Sequence, residues 1–162
     1  MDLKNFFNLF DNKNNKEEED FKEVNNKLQS LNELNLFKLL MFCNYHYKAE
    51  DIMFNYIANN LRIKSKAEVD NGIKKIREIA RQRKLKFLLE ISESSEEIFL
   101  EEYYNQNLSF SLDNIITGLE EFLKEEEEKE NYIACDTIWK VLNRVKREIN
   151  SKELRGLEKF SL

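Results

Sequence analysis

Residues 62–86 read RIKSKAEVDNGIKKIREIARQRKLK and run on into FLLEIS at 87–92. Ser65-Lys66-Ala67-Glu68 has the form of a capping box, in which serine and glutamate side chains satisfy the free backbone donors of a helix start. Val69, Ile73, Ile76 and Ala80 then recur at steps of four, three and four, the inward stripe of an amphipathic helix. At ~100° per residue, Lys66, Lys74, Arg77 and Arg81 project in one sector beside that stripe, with Asp70 among them. Further on, Leu85, Phe87, Leu89 and Ile91 alternate as strand residues do. Arg83, Lys84 and Lys86 are therefore expected to lie past the helix end, where a strand is expected to begin. Ser92 to Ser95 is a polar break, and the apolar residues of 98–104 fit either a second strand or a short helix.

The same stretch carries ten Lys or Arg against three acids, a balance of +7 in a chain whose total is −5, leaving −12 on the other 137 residues. Like charges gathered on one short segment suggest a surface for an anionic partner. The competing reading is an ordinary solvated helix face.

Outward from this segment the periodicity is helical. Towards the N-terminus, apolar residues are dense over 33–47 (Leu34, Leu36, Phe37, Leu39, Leu40, Met41, Phe42, Cys43), which predicts a central helix. A separate amphipathic helix is predicted over 49–61, with Ile52, Met53, Tyr56, Ile57 and Leu61 inward. Before them, Leu3, Phe6, Phe7 and Phe10 mark a short aromatic-faced helix, and Phe21, Val24, Leu28 and Leu31 a second one that starts in the acidic run 17–20. Asn32 is placed to cap the central helix. Towards the C-terminus, Leu112, Ile115, Ile116, Leu119, Phe122 and Leu123 form one helical face ahead of KEEEEKEN (124–131), a run read as too polar to be buried. Cys135, Ile138, Leu142, Val145 and Ile149 follow at three, four, three and four, a seam that faces a partner helix. The two segments form a helical hairpin, or one long helix if the acidic run stays helical. Ser151 opens a last short turn with Leu154, Leu157 and Phe160.

Composition agrees with a mainly α chain. Proline is absent and glycine occurs only at 72, 118 and 156, so helix breakers and tight turns are scarce. With 41% apolar and 35% charged residues, 162 residues suit one compact helical domain. Its expected parts are N-terminal helices at 1–32, a core at 33–104 ending in a small β-hairpin at about 85–104, and a C-terminal helical hairpin at 105–162. Cys43 and Cys135 lie among apolar residues and are expected to be buried free thiols of a reducing compartment. MDLKNFFNLFDNK lacks the features of a secretory signal, and no run of ~18 apolar residues occurs, so a cytoplasmic protein away from membranes is expected.

The segment YIANNLRIKSKAEVDNGIKKIREI (56–79) with LKFLLEIS (85–92) resembles the helix-turn-helix and first wing strand of winged helix-turn-helix DNA-binding domains. The matching positions are Ala58, Leu61, Ile63, Val69, Ile73 and Ile76, within a span of about 33–104. The resemblance implies a DNA-binding, regulator-like protein whose second motif helix enters the major groove, with Lys66, Asp70, Asn71 and Lys74 at base edges. Lys75, Arg77, Arg81, Arg83 and Lys84 would contact phosphates. Without DNA, Asp70 would pair with Lys66 or Lys74 four residues away.

Signatures of catalysis are missing. Cys43 and the single histidine, His46, make one Cys-x-x-His pair, short of a zinc site, and are read as a core thiol and a partly exposed imidazole. No nucleophile has a recognisable base, glycine is too scarce for a phosphate loop, and the carboxylates are in solvated runs. A non-enzymatic protein without cofactor or metal is expected. The alternative to duplex DNA as partner is a protein: an inhibitor or immunity-type, anti-defence module using its acidic surface on a basic target. A homodimer through 112–150 would suit paired half-sites, but an intramolecular hairpin would use the same heptads.

Overall fold

A computed structural model of the chain describes residues 34–99 and 110–158, with side chains through residue 153. The helices expected at 3–10 and 21–31, the Asn32 cap, residues 100–104 and the side chains of Leu154, Leu157 and Phe160 lie outside the described residues. Those described belong to one unit, Glu33–Leu162. Among them are four helices and no strand: α1 (Asn35–Asn60), α2 (Lys66–Glu93), α3 (Leu112–Glu128) and α4 (Tyr132–Glu158).

Each helix starts or stops where local chemistry dictates. At the head of α2 the capping box is complete: the Glu68 amide donates to Ser65 Oγ at 3.4 Å, and the Ser65 amide donates to the Glu68 carboxylate at 2.9 Å. Ser111 caps α3 with its side chain alone, accepting from the Asn114 amide at 3.1 Å. The break expected between two helices near residue 48 is absent, and α1 runs through it. Lys48 and Ala49 are good helix formers with no glycine or proline nearby, so nothing interrupts the ladder. Likewise α4 passes Ser151 without a new start, the Ser151 hydroxyl donating back to the Glu148 carbonyl at 2.9 Å.

The expected strand at 85–91 is a correction. That stretch is the last third of α2, whose inward residues there are Lys84, Leu88 and Ile91, while Leu89 is 46% exposed. Four alternating apolar residues satisfy a period of two, but 84, 88 and 91 continue the stripe of Ile76 and Ala80 at helical steps. Extending a formed helix also avoids a second nucleation. Arg83, Lys84 and Lys86 are accordingly within α2. Its C-terminal carbonyls are closed by Arg144 of α4, which donates to the carbonyls of Ile91 at 2.9 Å and Ser94 at 2.6 Å, a cation placed where the helix dipole favours one. The chain then runs without helix or strand to Ile98 and Phe99, both buried, whose amides donate to Glu148 at 2.9 and 3.3 Å.

Helices α1 and α2 pack antiparallel along their length. Asn35 reaches Ser94, Lys38 meets Glu90 at 3.4 Å, Tyr45 lies against Phe87, His46 contacts Lys84, and Tyr56 covers Gly72. A Cβ at Gly72 would run into the Tyr56 ring, so a larger residue there would displace that ring. Helices α3 and α4 form the second hairpin. Phe42 and Leu39 of α1, Leu88 and Ile91 of α2, Phe99, Ile115, Leu119 and Phe122 of α3, and Ile138, Val141 and Val145 of α4 fill one core between the hairpins. Within the seam expected from the heptads, Ile138, Leu142, Val145 and Ile149 are buried in that core and Cys135 is half-buried, so these residues pack inside the chain instead of holding a dimer.

Leu142→Ala should therefore destabilise the protein by ~2 to 5 kcal/mol, the usual cost of emptying a core leucine site. Urea unfolding measures this directly, and a loss under ~0.5 kcal/mol would place the seam outside the core.

Candidate nucleic-acid interface

All nine residues expected to contact nucleic acid are on α2, but the helix divides them into two groups. Lys66, Asp70, Asn71, Lys74, Lys75, Arg77 and Arg83 are exposed. Arg81 and Lys84 turn towards α3 and are used inside the molecule, which corrects their expected role as open phosphate contacts.

Arg81 forms a two-pronged ion pair with Glu126: Nε donates to one carboxylate oxygen and Nη2 to the other, each at 2.7 Å. The Glu126 side chain has no exposed surface, which corrects the expectation that the whole acidic run is too polar to bury. It also accepts from Lys129 Nζ at 3.0 Å and Asn131 Nδ2 at 2.9 Å. Burial acts to raise the Glu126 pKa, but the hydrogen bonds from Arg81, Lys129 and Asn131 outweigh it and hold the carboxyl down at about 2.

The turn carrying these donors is built for the purpose. The Glu130 amide donates to the Glu127 carbonyl at 2.9 Å and the Asn131 amide to the Glu126 carbonyl at 3.0 Å, the bond pair of a Schellman motif. Glu130 occupies its left-handed position with φ of 56°, where glycine is usual. Asn131 then starts α4, its side-chain oxygen accepting from the Ala134 amide at 3.4 Å. One asparagine thus ends α3, starts α4 and holds the buried carboxylate.

Lys84 is buried one turn further along α2. Its Nζ lies 3.8 Å from the centre of the Phe122 ring, 3.3 Å from His46 Nδ1 and 3.6 Å from a Glu125 oxygen. Burial pushes its pKa down, with Glu125 opposing. His46 Nε2 contacts Glu121 at 2.9 Å, and the side chain is only 7% exposed, more enclosed than the partly exposed imidazole expected. Burial also pushes the Cys43 thiol up to about 12, which removes it as a nucleophile near neutral pH. No group of three or more His, Cys, Asp or Glu placed to hold a metal occurs among the described residues.

Signals for both buried charges exist in the sequence. Lys84 extends the inward stripe of Ile76 and Ala80 by one step to Leu88. Glu126 continues the stripe Ile115, Leu119, Phe122 by four. A charged residue at a core register position marks a buried charge that must find a partner on the facing helix, Arg81 for Glu126 and Glu125 for Lys84.

The remaining bases, with Arg62, Lys64 and Lys86, are open to solvent. A groove of about 860 Å³ runs beside Lys74 and Arg77, but Glu50, Glu78, Glu125 and Glu130 also line it. Its mixed charge gives an anion no advantage over the outer surface of α2. No helix among the described residues is long and apolar enough to cross a membrane. Comparison with protein-family models, curated proteins and solved structures gave no match.

The depressed Glu126 pKa makes a signed pH prediction. Its stabilising effect is fully present above the ordinary value of 4.5 and is lost as pH falls through about 2. At ~1.4 kcal/mol per pKa step, Glu126→Gln should be less stable than the parent by roughly 3 kcal/mol at pH 7. Urea titrations at a series of pH values should show that gap closing below 4.5 and vanishing near 2.

Proposed function

We propose that this chain is a non-enzymatic nucleic-acid-binding protein, regulator-like in character, that contacts the phosphates of duplex DNA through the outer surface of α2. The observation that carries the reading is the allocation of charge. With Arg81 and Lys84 engaged by α3, eight bases still face solvent on α2 and the turn before it, against Glu68, Asp70, Glu78, Glu90 and Glu93, of which Glu90 lies 3.9 Å from Lys86. Glu68 belongs to the helix cap, where hydrogen bonds from Ser65 hold its carboxyl below the usual range.

A surface of this kind favours backbone binding. At ~1.5 Å per residue, the bases from Lys66 to Lys86 extend over about 30 Å, close to one turn of duplex. At ~100° per residue, Lys66, Lys74 and Arg77 lie on one flank, Lys75 and Lys86 on the crest, and Arg83 on the other flank. Phosphate contacts would supply most of the affinity through counterion release, and Asp70 and Asn71, in the first two turns, are the residues available to base edges.

The second reading, a protein-binding inhibitor or immunity-type module, draws on a different observation: Glu120, Glu121, Glu125, Glu127 and Glu128 of α3 are exposed, an anionic surface for a basic partner. A salt titration separates the two. Anisotropy of labelled duplex should show binding at low salt that weakens steeply as salt rises. Replacing Lys75 and Arg77 by Ala should lower the slope of log affinity against log salt by about 0.9 for each phosphate left without its cation. Asn71→Ala should cost ~1 to 3 kcal/mol on a preferred site and little on random duplex. Arg81→Ala should act on stability and leave the salt slope of the folded fraction unchanged. Absence of duplex binding at low salt would overturn the DNA reading and leave a protein partner.

A further inference from the structure

With its heptad seam in the core, α4 presents its opposite face to solvent. There Tyr132 is 73%, Ile133 85% and Trp139 57% exposed, an aromatic and aliphatic group within two turns of one helix. Asp136 and Lys140 lie among them, 58% and 57% exposed, joined by an ion pair of 2.6 Å. Isolated exposed apolar residues are ordinary, but three of them gathered around one charge pair form a patch suited to a partner.

We infer that this face of α4 is a self-association surface whose occupant is the same face of a second copy, packed antiparallel about a two-fold axis. The reason is charge order. In a two-fold contact residue i meets j and j meets i, so the surface must complement itself. Antiparallel α4 helices centred between residues 136 and 140 bring Asp136 to Lys140 of the other copy at two symmetric places. A parallel arrangement would set Asp136 against Asp136 and Lys140 against Lys140. Trp139, one position from that centre, meets its own counterpart beside the axis, and Tyr132 and Ile133 supply apolar surface at each end. Between Tyr132 and Lys140 the pair leaves the patch without net charge. This inference is independent of the α2 reading, since it uses no residue of that surface.

Charge exchange tests it. Sedimentation of the full chain should give a concentration-dependent rise towards twice 19.5 kDa. Asp136→Lys and Lys140→Asp should each remain monomeric, because each sets like charges together. An equimolar mixture of the two variants should dimerise, because one copy then offers two lysines and the other two aspartates. Both positions are exposed, and helical circular dichroism checks the fold. As a second readout, Trp139 is the only tryptophan, so parent emission should move to shorter wavelength as the dimer forms. A parent that stays monomeric up to about 1 mM, a single variant that dimerises like the parent, or a mixture that stays monomeric would overturn the inference.

Discussion

The Glu126 carboxylate is the charge on which α2, the end of α3 and the turn into α4 converge. Removing an ion from water costs several kcal/mol even after relaxation, so a fully enclosed carboxylate is tolerated only when its lone pairs are met by well-aligned donors. Arg81 meets two of them with the fixed fork of its guanidinium, which a lysine would not reproduce. Lys129 and Asn131 supply the others from the turn. The pair fixes which turn of α2 lies against the end of α3, and through Asn131 it fixes where α4 starts. Lys84 reinforces that register from one turn away by placing its ammonium over Phe122.

The contrast between a basic helix and an acidic remainder therefore has two physical origins. Part is internal: Arg81 and Lys84 on one side answer Glu126 and Glu125 on the other. The rest is external. A charge count over 62–86 cannot separate these components, because it weighs each base equally. The facing stripe separates them only in part: Lys84 sits on it between Ala80 and Leu88, whereas Arg81 lies beside it with exposed Arg77 and Glu78 one turn back, and it is the position of Glu126 that assigns Arg81 to the joint.

Much of the architecture is legible in the residues. The Ser65 box, the stripe from Val69 to Ala80, and the 135–149 seam each combine several independent signals at the helical period, and each matches the structure. Errors cluster where a short pattern satisfies two periods. Leu85, Phe87, Leu89 and Ile91 alternate over a span too brief to exclude a helix, and tertiary burial of Lys84, Leu88 and Ile91 decides the matter. The acidic run misleads for another reason: composition assigns Glu126 to solvent, while register assigns it to the core. Of the candidate surface, the basic concentration is legible in full, but its division between joint and solvent depends on a partner helix some 45 residues away.

Chain order gives the architecture a kinetic consequence. Each hairpin joins helices that are neighbours in sequence, so its loop closure is short and entropically cheap, and each can form early. Docking one hairpin on the other depends on contacts far apart along the chain, such as Arg144 with the carbonyl of Ile91, 53 residues away, and Glu148 with the amide of Ile98. Those contacts also close the C-terminal end of α2. Closing that end and docking the second hairpin are therefore one event in the structure: the last carbonyls of α2 and the amides of 98–99 find their partners only where α4 lies on residues 91–99.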